Sequence, residues 1–286
     1  VGKVKIVTDS TADIPAELLQ KYQITVIPLK VMIENETYQD GVNLTPEAFY
    51  NKLDMMNSVP ATSQPTPFEF ETMYQRIREK AGEEISILSI HLSSAMSGTI
   101  QSAVLAAEAV KEEVSVEVVD SLKASYAVGI LVVEAAKLAA QGAGIEGCRK
   151  KLEERKEETS VYFLVDTLEY LQKNGRIGRA SALIGSLLKM KPVLSLNRDG
   201  EVYPYRKARG KKKAVAVIQE ALEHQYGTRP VHIGVSHAQA EESGQELLEA
   251  AEAVLNSRSS TLTKIGSVIG SHTGRGTVSV AVTPAE

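Results

Sequence analysis

The chain has 286 residues, enough for about two ordinary domains. With 43% hydrophobic and 24% charged residues it has the composition of a packed globular protein, which argues against long disorder or a low-complexity scaffold. The 36 acidic and 32 basic residues leave a net charge of −4, so no global field draws it onto nucleic acid or anionic lipid.

In chain order, a strand at Val4–Thr8 is followed by helical periodicity at Pro15–Tyr22, a strand at Ile24–Leu29 and helices at Pro46–Leu53 and Pro67–Ala81. Strands at Ile85–Leu92 and Val114–Asp120 flank a helix at Ser97–Glu112, and helices follow at Ser125–Gln141 and Ile145–Lys156. The second half opens with a strand at Val161–Val165, helices at Thr167–Asn174 and Ala180–Leu188, and strands at Pro192–Leu196 and Val202–Tyr205. It ends with a helix at Lys211–Tyr226, a strand at Val231–His237, a helix at Ala240–Asn256 and strands at Thr261–Ile265 and Thr277–Thr283. Strand followed by helix, repeated, predicts an α/β fold. Val4–Thr8 and Ile85–Leu92 are nearly unbroken apolar runs, as expected of strands buried on both faces. The charged stretch at Lys150 to Ser160 predicts a boundary between residues 1–158, with a mainly parallel sheet, and residues 159–286, with a mixed sheet. The mixed sheet is expected because Asn197-Arg198-Asp199-Gly200 carries a hairpin-turn signal between two neighbouring strands. A crevice between two such packed domains is a common place for a ligand.

A single cysteine, Cys148, forms neither an internal disulfide nor a thiolate metal site. The longest apolar run, Tyr126 to Val133, stops at Glu134, far short of a membrane span. The opening Val-Gly-Lys-Val-Lys-Ile-Val reads as a strand rather than a signal peptide, so a cytoplasmic protein is expected.

Four segments interrupt the alternation with small polar residues. In Thr8-Asp9-Ser10-Thr11-Ala12-Asp13-Ile14-Pro15, Asp13 or Ser10 can cap the following helix. Capping leaves unexplained why Asp9, Ser10 and Thr11 crowd the end of a strand, the edge where open α/β sheets bind ligands. In Ala61-Thr62-Ser63-Gln64-Pro65-Thr66-Pro67, Thr66 reads as a helix cap, and Thr62 and Ser63 read as loop residues free to point elsewhere. Leu92-Ser93-Ser94-Ala95-Met96-Ser97-Gly98-Thr99 lies between a buried strand and an Ala-rich helix. Helix-end amides there predict an anion site, with hydroxyls at Ser93, Ser94, Ser97 and Thr99 as extra donors and Gly98 allowing close approach. The last segment, Gly266 to Gly276, places His272 among glycines just before the final strand, which favours a functional histidine over one on an apolar face. His91, His224, His232 and His237 have no metal-ligand spacing, and there is no Walker A loop, dinucleotide fingerprint or Gly-x-Ser-x-Gly elbow.

In this order and spacing the segments resemble the DegV family of bacterial fatty-acid-binding proteins. The resemblance also runs through Asn174-Gly175-Arg176-Ile177-Gly178, the stretch Ile184 to Pro192, and Gly270-Ser271-His272-Thr273-Gly274. It implies two α/β domains with a long-chain fatty acid, of palmitate or stearate type, in a tunnel between them and no other cofactor. It further implies a carboxylate held by Thr62 and Ser94, with Ser63, Ser97, Gly98, Arg176 and His272 around it. In family members that act as kinase subunits, the acid is presented to a separate ATP-dependent kinase and leaves as acyl phosphate, a step in which His272 is expected to assist. The protein itself is then a carrier rather than an enzyme, with no nucleic-acid partner and at most peripheral membrane contact. Arg275 and Ile100 depart from residues common at those positions in the family.

The tail has candidate surface in Phe163, Leu164, Leu168, Leu171, Ile177, Leu183, Ile184, Leu187, Leu188 and Met190, although each serves equally as core. At about 0.8 kcal/mol per buried methylene, a chain of roughly 16 carbons gains on the order of 10 kcal/mol before binding costs. The basic stretch Arg206 to Lys213, with Arg206, Arg209, Lys211 and Lys212, starts a helix against its macrodipole and is expected to dock an acidic or nucleotide-bearing kinase. A rival reading is a serine hydrolase or acyltransferase built from Ser94, His272 and Asp9. A third is a sugar-phosphate or nucleotide binder, which requires a polar pocket where the carrier requires an apolar one.

Overall fold

The β-branched segment Val4–Asp9 is buried along nearly its whole length and occupies an interior position of a parallel sheet. The computed structural model describes residues 4–56, 58–82, 84–184 and 190–285. Its elements begin β1 (Val4–Asp9), α1 (Ala16–Tyr22), β2 (Thr25–Ile27), β3 (Lys30–Ile33), β4 (Glu36–Gln39), α2 (Pro46–Leu53), β5 (Ala61–Ser63) and α3 (Pro67–Ala81). They continue β6 (Ser86–His91), α4 (Thr99–Ala109), β7 (Ser115–Asp120), α5 (Tyr126–Ala140), α6 (Ile145–Glu158), β8 (Ser160–Leu164) and α7 (Glu169–Lys173). The last are β9 (Lys191–Leu196), β10 (Val202–Ala208), α8 (Lys211–Tyr226), β11 (Pro230–His237), α9 (Glu241–Glu252), β12 (Asn256–Lys264), α10 (Ser267–Thr273) and β13 (Val278–Pro284).

The first sheet has the order β2-β1-β6-β7 and is parallel throughout. Phe70 and Tyr74 of α3 and Ala103 and Ala106 of α4 cover one face, packing on Val7 and Ile87. The other face packs on α5, whose residues are buried almost all round. A helix apolar on every side has to lie inside a protein, and α5 does so by also meeting Val161 and Ala281 of the second sheet. That second sheet is mixed, ordered β10-β9-β8-β13-β11-β12, with only the β11–β12 pair parallel. The α/β class, the parallel sheet and the mixed sheet are those expected from the sequence. So is the turn at Asn197–Gly200, where Asn197 Oδ1 accepts the amides of Asp199 and Glu201 at 2.9 Å.

A third, antiparallel sheet, β4-β3-β5, was not expected. Its strands have three or four residues each, too short for alternation to stand out from loop composition. Thr62 and Ser63 are therefore strand residues, not loop residues, with Thr62 opposite Val31. The helix α10 was missed as well, because its seven residues, Ser-Val-Ile-Gly-Ser-His-Thr, carry three β-branched residues, a glycine and two serines. Its Val268 joins Val31, Phe49 and Tyr50 in one core cluster with Ile265, so residues distant in sequence share an interior. Strand β12 begins at Asn256, earlier than Thr261, since its first half is a polar edge. The helix expected at Ala180–Leu188 is a 3-10 segment over Gly178–Leu183; residues 185–189 lie outside the described ones.

Thr66 caps α3 as predicted, in a reciprocal capping box with Glu69. Asp13 and Ser10 do not cap α1. Asp13 is buried, and its carboxylate accepts the Gly266 amide at 2.8 Å and the Ser125 hydroxyl at 2.5 Å. Beside it Asp40 accepts the Ser267 amide at 2.9 Å. The N-terminus of α10 is thus held by two carboxylates from the first forty residues. Burial is the main cause that raises both carboxyls above their ordinary values, Asp13 strongly, against the lowering effect of these hydrogen bonds.

A carboxyl that binds its proton more tightly folded than unfolded adds stability below its unfolded pKa and loses that contribution as pH rises through the folded one. In urea denaturation from about pH 4 upward to neutrality, the wild type is expected to lose stability relative to Asp13→Asn, whose amide oxygen still accepts Gly266. Parallel pH profiles would show that Asp13 has no raised value.

Candidate functional site

Prolines at 60 and 65 bracket the three-residue strand β5 and stop it from extending. The strand is fixed by β3 on one side and presents Thr62 towards α10 on the other. There Thr62 Oγ1 lies 2.8 Å from His272 Nε2. The second ring nitrogen, Nδ1, is buried without a partner. Burial, followed by the nearby Arg176 charge, lowers the His272 pKa to about 4, so the ring is neutral at physiological pH. With one proton to place, Nε2–H leaves only a bare acceptor at Nδ1, whereas Nδ1–H would leave an unpaired buried donor. His272 therefore donates to Thr62, and the threonine hydroxyl is free to donate elsewhere.

Elsewhere is a cavity. About 850 Å³ of space unoccupied by protein atoms, part of it open to solvent, runs from Thr62, Ser63, Gln64, Ser97, Arg176 and His272 into the interior. Beyond this polar mouth its walls are mainly apolar, with Leu29 and Leu92 from the first half and Val161, Phe163, Leu196 and Val268 from the second. Both halves of the chain build it. A sugar-phosphate or nucleotide requires mainly polar walls, and here Ser125, Thr273, Thr277 and Ser279 are a minority among apolar residues.

The mouth is stitched by a loop of the second half. Asn174 Nδ2 donates to Ser271 O at 2.7 Å and to Pro60 O at 3.3 Å, joining α10 to the approach of β5. Arg176 Nε donates to Met96 O at 3.1 Å, joining the same loop to the turn before α4. Asn174 and Gln64 were not singled out as site residues; an amide between Lys and Gly gives no signal of two carbonyls brought to it by tertiary folding.

The turn of four hydroxyls divides its tasks. Ser93 is buried and donates to Gly200 O at 3.0 Å, locking the β9–β10 hairpin to the first sheet. Ser97 accepts the Thr99 amide at 3.3 Å, lies 2.9 Å from the Thr99 hydroxyl, and lines the cavity. Ser94 does not line it: the residue is exposed and its amide points to the Asp120 carboxylate. The bend at 93–97 turns Ser94 outward and Ser97 inward, so the serine of the mouth is Ser97. Gly98 is not part of the wall either; a Cβ there would stand 2.9 Å from Gln64 Nε2, so the glycine makes room for that side chain.

Of the candidate tail residues, Phe163 and Leu171 line the cavity. Leu164, Leu168, Ile177 and Leu183 are core, Ile184 is exposed, Met190 is outside the lining, and Leu187 and Leu188 lie outside the described residues. Arg275 reaches away, to Tyr50 O at 3.1 Å and Asp54 at 2.5 Å, and ties α10 to α2.

Ser94, His272 and Asp9 form no triad. The buried Asp9 carboxylate instead holds His91 Nδ1 at 2.9 Å, and His91 Nε2 lies 2.7 Å from Ser89. Ser89 in turn lies 2.8 Å from the Tyr74 hydroxyl. Asp9, Ser89, His91 and Tyr74 are all shielded from solvent, so this chain of donors is internal wiring. Among the described residues no three His, Cys, Asp or Glu side chains gather closely enough to hold a metal ion.

The basic stretch is partly neutralised, two of its six cations being paired. Arg206 pairs with Glu220 at 2.7 Å and Lys211 with Glu246 at 2.6 Å, which also relieves the charge at the N-terminus of α8. Lys207, Arg209, Lys212 and Lys213 are exposed and make no ion pair among the described residues. No helix of the described residues is long and apolar enough to cross a membrane.

The family described as "Uncharacterised protein, DegV family" matches residues 3–285. The chain belongs to the DegV family. Protein DegV of Bacillus subtilis is 37% identical over 279 residues, covering 97% of this chain and 98% of that protein. The crystal structure of DegV from Bacillus subtilis, described as a fatty acid binding protein, superposes with a TM-score of 0.88 at 36% identity, covering 99% of this chain and 100% of that one. A DegV family protein from Thermus thermophilus, described in terms of its fatty acid binding, gives a TM-score of 0.91 at 34% identity, with 99% of each chain covered. The DegV fold of these structures has the same α/β architecture.

Asn174→Ala removes the stitch between Pro60 and Ser271 and leaves two carbonyls without their donor. It is expected to cost about 1–3 kcal/mol in denaturant unfolding. A loss near zero would show that the mouth does not depend on it.

Proposed function

We propose that this chain binds a long-chain fatty acid, with the carboxylate at the mouth of the cavity and the hydrocarbon among its apolar walls. The observation that carries this reading is the combination, in one cavity, of a polar mouth and a mainly apolar interior. Relatives of 34% and 36% identity described as fatty-acid-binding support it. The carboxylate accepts from Thr62 Oγ1, whose own acceptor position is filled by His272, and from Ser97, with the Gln64 amide and the Arg176 guanidinium beside it. Hydroxyl and amide donors hold the carboxylate, because Arg176 commits Nε to Met96 O and Nη1 to Asn174 O at 2.7 Å. That leaves a carboxylate oxygen able to attack the phosphorus of a phosphoryl donor. Burial of methylenes supplies most of the affinity and the polar mouth sets the register.

The same reading makes the chain a carrier that presents the acid to a separate ATP-dependent kinase. The exposed unpaired cations Lys207, Arg209 and Lys212 are the surface for that partner, and His272, neutral and next to the carboxylate, assists transfer by fixing Thr62. The hydrolase alternative has no support in the geometry, since no base touches Ser94.

Native mass spectrometry of the purified protein, before and after organic extraction, is expected to show one bound fatty acid. Thr62→Ala and Ser97→Ala should each weaken its binding by about 1.5–3 kcal/mol, while Ser94→Ala leaves it unchanged. A large loss in Ser94→Ala alone would reverse the assignment of the serine.

Charge reversal at Arg209 and Lys212 to Glu should abolish acyl-phosphate formation with a DegV-partner kinase and spare acid binding. Undiminished formation would remove this surface from the proposal.

A further inference from the structure

A second cavity lies on the other side of the Val161 and Leu196 wall, and those two residues line both spaces. Its character is opposite. Lys123, Lys156 and Arg198 line it together with Tyr203, Thr159 and one carboxylate, Glu157. The cations come from three separate places: the loop after β7, helix α6 and the β9–β10 turn.

Most of its polar groups are engaged within the protein. Thr159 donates to Arg155 O at 2.7 Å, Ser195 donates to Val161 O at 2.7 Å, and Ser160 bonds Gln225. Asn197 binds its own turn, and Lys156 pairs with Glu153 at 2.6 Å while donating to Asp120 O. Three groups differ. Among the described residues Lys123 Nζ, the Arg198 guanidinium and the Tyr203 hydroxyl have no hydrogen-bond or ion-pair partner, although all three residues line this one space.

Lys123 has little freedom to leave. Its backbone is fixed by Ser93 N to its carbonyl at 2.9 Å and by its own amide to Ser121 Oγ at 3.1 Å. Leu122 and Ser125 on either side adopt φ of 54°, a conformation that non-glycine residues rarely hold without tertiary support. Burial, with the Lys156 charge adding to it and Glu157 opposing it, lowers the Lys123 pKa. The Glu157 carboxylate offsets part of the cost of desolvating this ammonium, more than Lys156, itself paired with Glu153, adds to it, and a bound anion would offset the remainder.

We propose that this polar cavity is a ligand site for a phosphate-type oxyanion, inorganic phosphate or a phosphomonoester, held by Lys123, Arg198 and Tyr203. Donors arriving from different elements match an anion with oxygens in several directions, and a dianion matches two unpaired cations. The site is distinct from the acyl cavity, but the loop joins them, since Lys123 faces one space while Ala124 and Ser125 line the other.

The test is isothermal titration of the full chain with inorganic phosphate, at ionic strength matched with chloride. Saturable binding is expected, weakened at least tenfold in Lys123→Gln and in the surface variant Arg198→Gln. A parallel titration with glycerol phosphate separates the sources: tighter binding of the ester assigns a phosphomonoester, and equal or weaker binding assigns free phosphate. Absence of saturable binding by either probe overturns the proposal. So does loss of binding in Arg176→Gln with retention in Lys123→Gln, because the anion would then sit at the mouth of the acyl cavity.

Discussion

Two buried carboxylates organise the molecule. Asp13 and Asp40 come from the first forty residues, yet their acceptors are filled by the amides of Gly266 and Ser267, at the start of α10. Burying a carboxylate is costly unless it is fully hydrogen-bonded, so this contact admits little rearrangement. It fixes where α10 begins, and one helical segment later His272 stands opposite Thr62. The mouth of the cavity is therefore positioned by hydrogen bonds among buried groups of the protein itself.

The same economy appears in the hydroxyl-rich turn before α4. Four hydroxyls in seven residues look redundant, but three of them make distinct hydrogen bonds. Ser93 locks a hairpin of the other sheet, Thr99 and Ser97 settle the helix start, and only Ser97 remains beside the cavity. Asp9, His91 and Ser89 make a similar point. They have the composition and order of a catalytic relay, but complete burial denies it a substrate, and the network instead satisfies polar groups inside the first sheet.

The two cavities differ in polarity. Val161 and Leu196 line both the apolar space and the polar one, which opens to the surface at Arg198, and the short loop from Leu122 to Ser125 faces both. The apolar side suits a tail whose affinity grows with each buried methylene, while the polar side retains unpaired donors.

Periodicity and composition alone determined the α/β class, the two sheets and most of the helices, because long apolar runs such as Val4–Asp9 and Tyr126–Ala140 leave one physical solution each. The motifs also marked Thr62, Ser97, Arg176 and His272 as a group. The resemblance put Ser94 at the carboxylate, but both serines carry the same hydroxyl, and only the bend of the chain decides that Ser97 is the one lining the cavity. Sequence did not show β5 or α10, whose few residues have weak intrinsic preference and form because β3 and the Asp13–Asp40 pair hold them. Nor could it show that Arg206 and Lys211 are neutralised while Arg209 and Lys212 are not. Short-range pattern sets which segments must be buried; partners far away in the chain decide which polar atoms remain free, and those are the atoms that meet a ligand.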